Sequence, residues 1–213
     1  MLTNNFIAAN TGVTTTGAAE IGVGSEDGSV IYGYHNTFAA KTAGQGVAVD
    51  VGNGGADTVV LTDSIFSGYS VGASVSDITS SIQLNGVLWD NVTTQTSGNF
   101  ITVTDSIVGS ADFLNPALRN YHIQSASAAK DAGIVSGIAT DIDGQARPNG
   151  AGYDLGADEN SINLFPVADP GPVQSVVIGS DVALDGSGSF DPEGDALQYL
   201  WTQVGGPPVT LSD

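Results

Sequence analysis

Five short segments of this sequence share one pattern: an Asn or Asp, then a small or polar residue, then an apolar residue. The Asn or Asp stands at positions 4, 36, 63, 85 and 105, so the segments recur every 20–30 residues or so. A repeat of that length with two or three short strands is one coil of a solenoid. We therefore expect coils that stack through parallel strands ~4.8 Å apart.

Strand chemistry extends through the whole chain. Apolar and polar residues alternate at period two in GVAVDV (46–51), TVVLTDSIF (58–66) and FITVTDSIV (100–108), which predicts strands. A second, looser strand is predicted ahead of several repeats, around residues 21–23, 47–51, 71–75 and 100–103. The strong helix formers Lys, Arg, Glu and Met are scarce, so the expected fold class is all-β.

The repeated Asn or Asp has a physical role at a sharp corner of each coil. Both residues tolerate the left-handed backbone conformation that a sharp bend requires. Stacked amides can also hydrogen-bond from coil to coil, and an Asp between Asn neighbours accepts from their amides. The sequence therefore predicts a structural ladder that consists of Asn4, Asn36, Asp63, Asn85 and Asp105.

Charge and composition exclude several classes of partner. Asp and Glu total 23 against 4 Lys and Arg, a net charge of −19 that repels nucleic acid, anionic lipid and acidic polysaccharide. The chain has no cysteine and therefore no disulfide or thiolate metal site. It contains no run of about 18 apolar residues, which argues against membrane insertion. LTNNFIAAN follows Met1 without signal-peptide features, so an export signal is expected outside this chain.

Residues 112–157 carry a more specific set of motifs. They are DFL (112–114), NYHIQS (120–125), KDAG (130–133), DIDGQARP (141–148) and GYDLGA (152–157). This series resembles the C-terminal segment of bacterial surface proteins of the choice-of-anchor Q type, with departures at Ala128, Lys130 and Asp158. The resemblance implies a right-handed parallel β-helix of about five coils over 1–112. It also implies a C-terminal cap over 113–160, which we expect to cover the open edge of the last coil.

The remaining motifs resemble those of PKD and related Ig-like domains of bacterial exoproteins. After a linker predicted at 161–172, the chain contains FPVADPGPV (165–173), LDGSGSFDPEGD (184–195) and LQYLWTQ (197–203). The resemblance implies a partial Ig-like β-sandwich, with residues 173–213 as its N-terminal half, because a whole sandwich takes ~100 residues. Trp201 is then expected on a central strand.

Catalytic residues are not predicted in these coils. Carbohydrate-active β-helix enzymes hold acidic sugars with clustered basic and acidic residues, whereas the four basic residues here are scattered. The two histidines, His35 and His122, are far apart in sequence, and metal ligation by either is not expected. An alternative hypothesis is that this chain is the C-terminal end of a polysaccharide lyase or glycoside hydrolase whose catalytic coils lie upstream.

Calcium is the one cofactor for which the sequence offers candidate ligands. Asp141 and Asp143 alternate around one glycine-containing turn, and Asp191, Glu193 and Asp195 alternate around another. Alternating carboxylates on turns suit a hard cation, although Asp and Gly also build Asx turns without one.

The predicted function is structural and adhesive, in a secreted or cell-surface modular protein. Its expected partners are neutral polysaccharide or other cell-surface molecules, and nucleic acid is not an expected partner. The sequence makes no prediction of the oligomeric state.

Overall fold

The computed structural model describes residues 1–8, 19–24, 28–40, 43–52, 54–160, 166–190 and 197–211. Contacts divide the chain into two units, Met1–Ser161 and Ile162–Asp213. The named elements are strands, apart from one 3-10 turn at Pro116–Leu118, so the expected all-β class is confirmed. Among the described residues there is no helix of the length and apolarity needed to cross a membrane.

The first unit contains two parallel sheets. The first sheet has the order β1-β3-β5-β7-β9, and the second has the order β2-β4-β6-β8. The chain therefore passes alternately between the sheets, as in a β-helix-like fold, and the predicted stacking of parallel strands is confirmed. The strand bounds are β1 Leu2–Ala8, β2 Ala19–Val23, β3 Val30–Ala39, β4 Val47–Val51, β5 Thr58–Ser67, β6 Val71–Val75, β7 Ser81–Asp90, β8 Thr94–Ser97 and β9 Ile101–Val108.

One predicted second-sheet strand was wrong. The apolar residues at 100–103 were expected in the looser strand, but β9 begins at Ile101 and belongs to the first sheet. The last strand of the second sheet is β8, whose sequence TQTS pairs with β6. Its residues are mostly exposed, so they carry no apolar alternation that would reveal a strand.

The core lies between the two sheets and is continuous from coil to coil. Phe38, Phe66 and Trp89 occupy matching positions on β3, β5 and β7 and are almost fully buried. Their ring centroids are 4.9 Å and 5.0 Å apart. Parallel pairing in register places like side chains above one another, so each coil buries the apolar face of the next.

A row of left-handed residues crosses the first sheet. It consists of Asn4, His35, Asp63, Gly86 and Asp105, with φ between 50° and 69°. The row was predicted to contain Asn36 and Asn85, which was wrong by one residue in two coils. The pairing of Thr3 with Tyr34 and of Thr62 with Asn85 places His35 and Gly86 in the row instead.

The side-chain amides of Asn36 and Asn85 nevertheless form hydrogen bonds to neighbouring coils. Asn36 is fully buried and lies beside Asn5, whose Nδ2 donates to Asn36 Oδ1 at 2.9 Å. Asn85 Oδ1 accepts from Thr104 Oγ1 of the next coil at 2.9 Å. The polar contacts between coils therefore lie one residue away from the left-handed row at these two positions.

Residues 109–160 lie along the outer face of the first sheet, not over its last edge. Two short strands, β10 (Phe113–Asn115) and β11 (Asn120–Ile123), form an antiparallel pair. The irregular chain that follows, residues 124–160, is called the covering segment below. It contacts strands well before the last coil: Asn4 Nδ2 donates to the Thr140 carbonyl, and the Gly156 amide donates to the Asp63 carbonyl. β9 is the edge strand, and seven of its eight residues are exposed. The expected cap over that edge was therefore wrong.

The second unit has little regular structure among its described residues. An isolated antiparallel bridge joins Val167 to Phe190, and Ser189 Oγ interacts with the Asp169 backbone. Trp201 is 37% exposed and lies near Gly186. A sandwich buries such residues between two sheets, and the described part of this unit provides no second layer.

Gly86 and Gly144 offer a matched test of the left-handed row. Both have positive φ, 69° and 85°, but a Cβ on Gly86 would lie 2.5 Å from Asp63 Oδ1, whereas one on Gly144 would meet no atom within 4 Å. We expect Gly144→Ala to cost about 1 kcal/mol through backbone strain alone, and Gly86→Ala about 2 kcal/mol. Urea unfolding measures both. Equal costs would contradict the packing of Gly86 against Asp63.

Candidate functional site

A groove of about 560 Å³ opens beside the C-terminal ends of β3, β5 and β7. The strand ends form one wall, and the turn that joins β10 to β11 forms the other. Its volume lies within the range of small-molecule sites, roughly 300–1,000 Å³. The lining residues are Ala39, Ala40, Ser67, Asp90, Asn91, Ser110, Asp112, Phe113, Pro116, Ala117, Arg119 and Tyr121.

The polar side of the groove is held in place by hydrogen bonds. Asp90 on β7 pairs with Ser67 on the neighbouring strand β5, and Ser67 Oγ donates to Asp90 Oδ2 at 2.8 Å. Asn91 Nδ2 donates to the other oxygen, Oδ1, at the same distance. The Asp90 carboxylate is thus fixed between a serine of the preceding coil and the next residue of its own chain segment. A fixed carboxylate of this kind can accept hydrogen bonds from ligand hydroxyl groups.

The opposite side of the groove is partly aromatic. Phe113 on β10 and Tyr121 on β11 meet edge to face, with centroids 5.3 Å apart. Tyr121 is nearly buried, and this burial raises the pKa of its phenol. Phe113 remains partly exposed, and Arg119, in the left-handed conformation after the 3-10 turn, is exposed. The groove therefore combines an apolar wall, fixed acceptors and one cation.

A second group of polar residues surrounds His122 on β11. His122 Nε2 lies 2.7 Å from Asp143 Oδ2, and Asp158 completes a set whose ligand atoms all lie within 4.8 Å of one another. Asp158 is 5% exposed, and this burial raises the pKa of its carboxyl to about 6. The His122 ring also contacts Phe6 edge to face, so the imidazole both packs on β1 and faces the two carboxylates.

The carboxylate of Asp141 forms a turn. Its Oδ1 accepts from the amides of Asp143 and Gln145, and its Oδ2 accepts from the amide of Glu159. These bonds favour the Asx-turn role for Asp141 over a calcium role. Of the predicted pair, only Asp143 faces a cluster of other ligand groups. The second calcium candidate, Asp191, Glu193 and Asp195, lies outside the described residues.

A third polar group is buried under the covering segment. Arg147 and Glu159 form an ion pair of 2.6 Å, and both side chains are fully buried. Arg147 also donates to the carbonyls of Asp154 and Gly156. Glu159 accepts from the amides of Asn149 and Asp154. A buried charge pair requires such additional bonds, because both ions have lost their water.

His35 and Asp63 lie next to this ion pair, at the left-handed row. His35 Nδ1 lies 3.2 Å from the Asp154 carbonyl, which only accepts, so Nδ1 carries the proton and Nε2 accepts from Ser136 Oγ. Burial lowers the pKa of His35 to about 3 and raises the pKa of Asp63 to about 7. Between those values both groups are neutral, so their 3.5 Å contact is not an ion pair.

The three groups differ in access. His35, Asp63, Arg147 and Glu159 of the buried network are all buried, so solvent has little contact with them. The groove and the His122 cluster are accessible. Sequence reasoning missed both, although the DIDG motif and the NYHIQS motif each supplied one residue of the cluster.

The comparisons with known proteins add no constraint. No family model, no curated protein and no solved structure matches this chain.

Proposed function

We propose that this chain is a non-catalytic, structural and adhesive part of a secreted or cell-surface modular protein. In this proposal the first unit is the end of a right-handed β-helix of the choice-of-anchor Q type. The second unit is then the beginning of an Ig-like domain. The parallel sheets support the first part of the proposal, because a continuously bonded stack of coils presents a stiff, extended surface.

We further propose that the groove binds neutral carbohydrate. The observation that carries this proposal is the fixed Ser67–Asp90–Asn91 arrangement opposite the partly exposed Phe113. A sugar presents hydroxyl groups at its edge and C–H groups on its face, which match fixed acceptors and an aromatic wall respectively. The net charge of −19 disfavours acidic polysaccharides.

The test is a screen of neutral and acidic glycans, followed by calorimetric titration of the best ligand. We expect a neutral glycan to bind and Asp90→Asn to weaken its affinity at least tenfold, since a hydrogen bond to a charged group contributes about 1.5–3 kcal/mol. Asp50→Asn on β4, in the second sheet, makes the same charge change away from the groove and serves as the control.

Three outcomes would contradict the proposal. Retention of acidic glycans alone would contradict the charge argument. Equal binding by Asp90→Asn and the unaltered chain would remove the groove as the site. Release of shortened glycan products on incubation would show that the chain is catalytic.

A further inference from the structure

The His122 cluster has features that a simple ion pair does not require. Three different parts of the chain contribute one residue each: His122 from β11, Asp143 from the turn after Asp141, and Asp158 from the end of the covering segment. Two carboxylates beside one imidazole leave an excess of negative charge. A divalent cation would neutralise that excess, whereas a proton on His122 would neutralise only half of it.

The imidazole is oriented as metal-binding histidines are. His122 Nδ1 lies 2.5 Å from Asn120 Oδ1, an acceptor, so Nδ1 carries a proton. Nε2 lies 2.7 Å from Asp143 Oδ2, where it donates a second proton when no ion is bound, and a bound cation takes the place of that proton. Histidines that bind metals almost always donate their other N–H to an oxygen in this way. Asn120 therefore selects the tautomer that ligation through Nε2 requires.

The three ligand atoms lie near enough to one another for one ion to reach them after side-chain adjustment. Zn²⁺ at about 2.1 Å from each ligand places tetrahedral ligand atoms roughly 3.4 Å apart. Here the 2.7 Å contact between His122 and Asp143 is shorter than that, and all separations are within 4.8 Å. The Asp143 side chain is 49% exposed, so it can move away from His122 to admit an ion.

The surroundings fix the remaining ligands. The Ile123 amide donates to Asp158 Oδ2 at 2.7 Å, and a carboxylate retains further lone pairs after accepting that bond. His122 is 34% exposed, so the open side of the cluster admits an ion and leaves room for water as a fourth ligand.

We propose that His122, Asp143 and Asp158 form a binding site for Zn²⁺ that ties β11 to the covering segment. The imidazole nitrogen distinguishes this proposal from the calcium prediction, because Ca²⁺ takes six to eight oxygen ligands and Zn²⁺ takes four that include nitrogen. Zn²⁺ bound here joins residues 122, 143 and 158 and stabilises the covering segment on the first sheet.

The test uses the fact that the chain has only two histidines. The chain is labelled with ¹⁵N at histidine, treated with chelator and titrated with Zn²⁺. We expect the His122 imidazole signals to shift, the signals of the buried His35 to remain in place, and the melting midpoint to rise. Ca²⁺ at the same concentrations is expected to leave the His122 signals unchanged.

Two variants make the test specific. Asp143→Asn preserves the backbone bond to Asp141, and we expect it to weaken Zn²⁺ binding at least tenfold while the melting midpoint without metal changes little. Asp50→Asn, the matched change on the second sheet, is expected to bind Zn²⁺ as the unaltered chain does. Unmoved His122 signals at excess Zn²⁺, or equal affinity in Asp143→Asn, would overturn the proposal.

Discussion

Replacement of Arg147 by Met is expected to lower the free energy of unfolding by about 3–5 kcal/mol. Arg147 is the cation of the buried pair with Glu159, and its guanidinium also donates to the carbonyls of Asp154 and Gly156. Met fills a similar volume but leaves the Glu159 carboxylate buried without a counter-charge. An uncompensated buried charge is among the most costly single changes in a protein interior.

Urea unfolding of three variants measures this effect. Arg119→Asn removes a positive charge from an exposed position whose left-handed backbone Asn tolerates, and we expect a change below about 0.5 kcal/mol. The double variant Arg147→Met/Glu159→Gln is expected to recover part of the loss, because the isolated charge is gone. A loss from Arg147→Met no larger than that from Arg119→Asn would contradict the buried pair.

The coils could be predicted because their signal is local. In the first half of β5 the alternating sequence matches side chains that are alternately half-buried and buried, whereas the second half is buried on both faces. β8 could not be predicted in the same way, since its TQTS sequence is mostly exposed and its place depends on pairing with β6.

The left-handed row shows what decides register. At Asn85-Gly86 both residues suit a positive φ, and Gly suits it better, so attention to glycine would have identified Gly86. At His35-Asn36 the sequence favours Asn, yet His35 adopts the left-handed conformation. The reason is tertiary, because His35 then reaches Ser136 and Asp154, more than 100 residues along the chain.

The position of the covering segment likewise could not be predicted from local sequence. Its motifs identified a distinct region, but its position depends on contacts with Asn4, Thr37 and Asp63 that no local pattern encodes. The His122 cluster likewise joins residues of two motifs, and only the folded chain brings them within bonding distance.

The stability of the chain is expected to fall as pH rises from 5 to 8, and Asp63→Asn is expected to reduce that fall by roughly 2–3 kcal/mol. Burial raises the pKa of Asp63 from 3.8 in the unfolded chain to about 7 in the folded chain. A raised pKa means that the folded state holds a proton that the unfolded state has released. This contribution to stability is fully present below pH 4 or so and is lost as pH rises through about 7.

The neighbours of Asp63 determine how far this effect is visible. Asp154 changes the stability with pH in the same direction as Asp63, because burial raises the pKa of its carboxyl to about 7. His35 changes the stability in the opposite direction, because burial lowers its pKa from 6.5 to about 3. Its contribution to stability is fully present above pH 6.5 and is lost as pH falls toward 3.

The charges of Arg147 and Glu159 act on Asp63 in opposite directions. Asp158, whose pKa burial raises to about 6, acts in the same direction as Asp63 and Asp154. Three carboxyls therefore oppose one imidazole, and we expect stability to fall between pH 5 and 8.

Asp63→Asn isolates one of these contributions. Asn retains the oxygen that accepts from the Ile134 amide, tolerates the left-handed backbone and carries no charge at any pH. The variant should therefore match the unaltered chain near pH 4 and unfold at higher urea concentration at pH 8. Asp50→Asn controls for the general effect of one fewer negative charge. If both variants change the pH dependence equally, the effect belongs to net charge, and the buried Asp63 carboxyl is not its source.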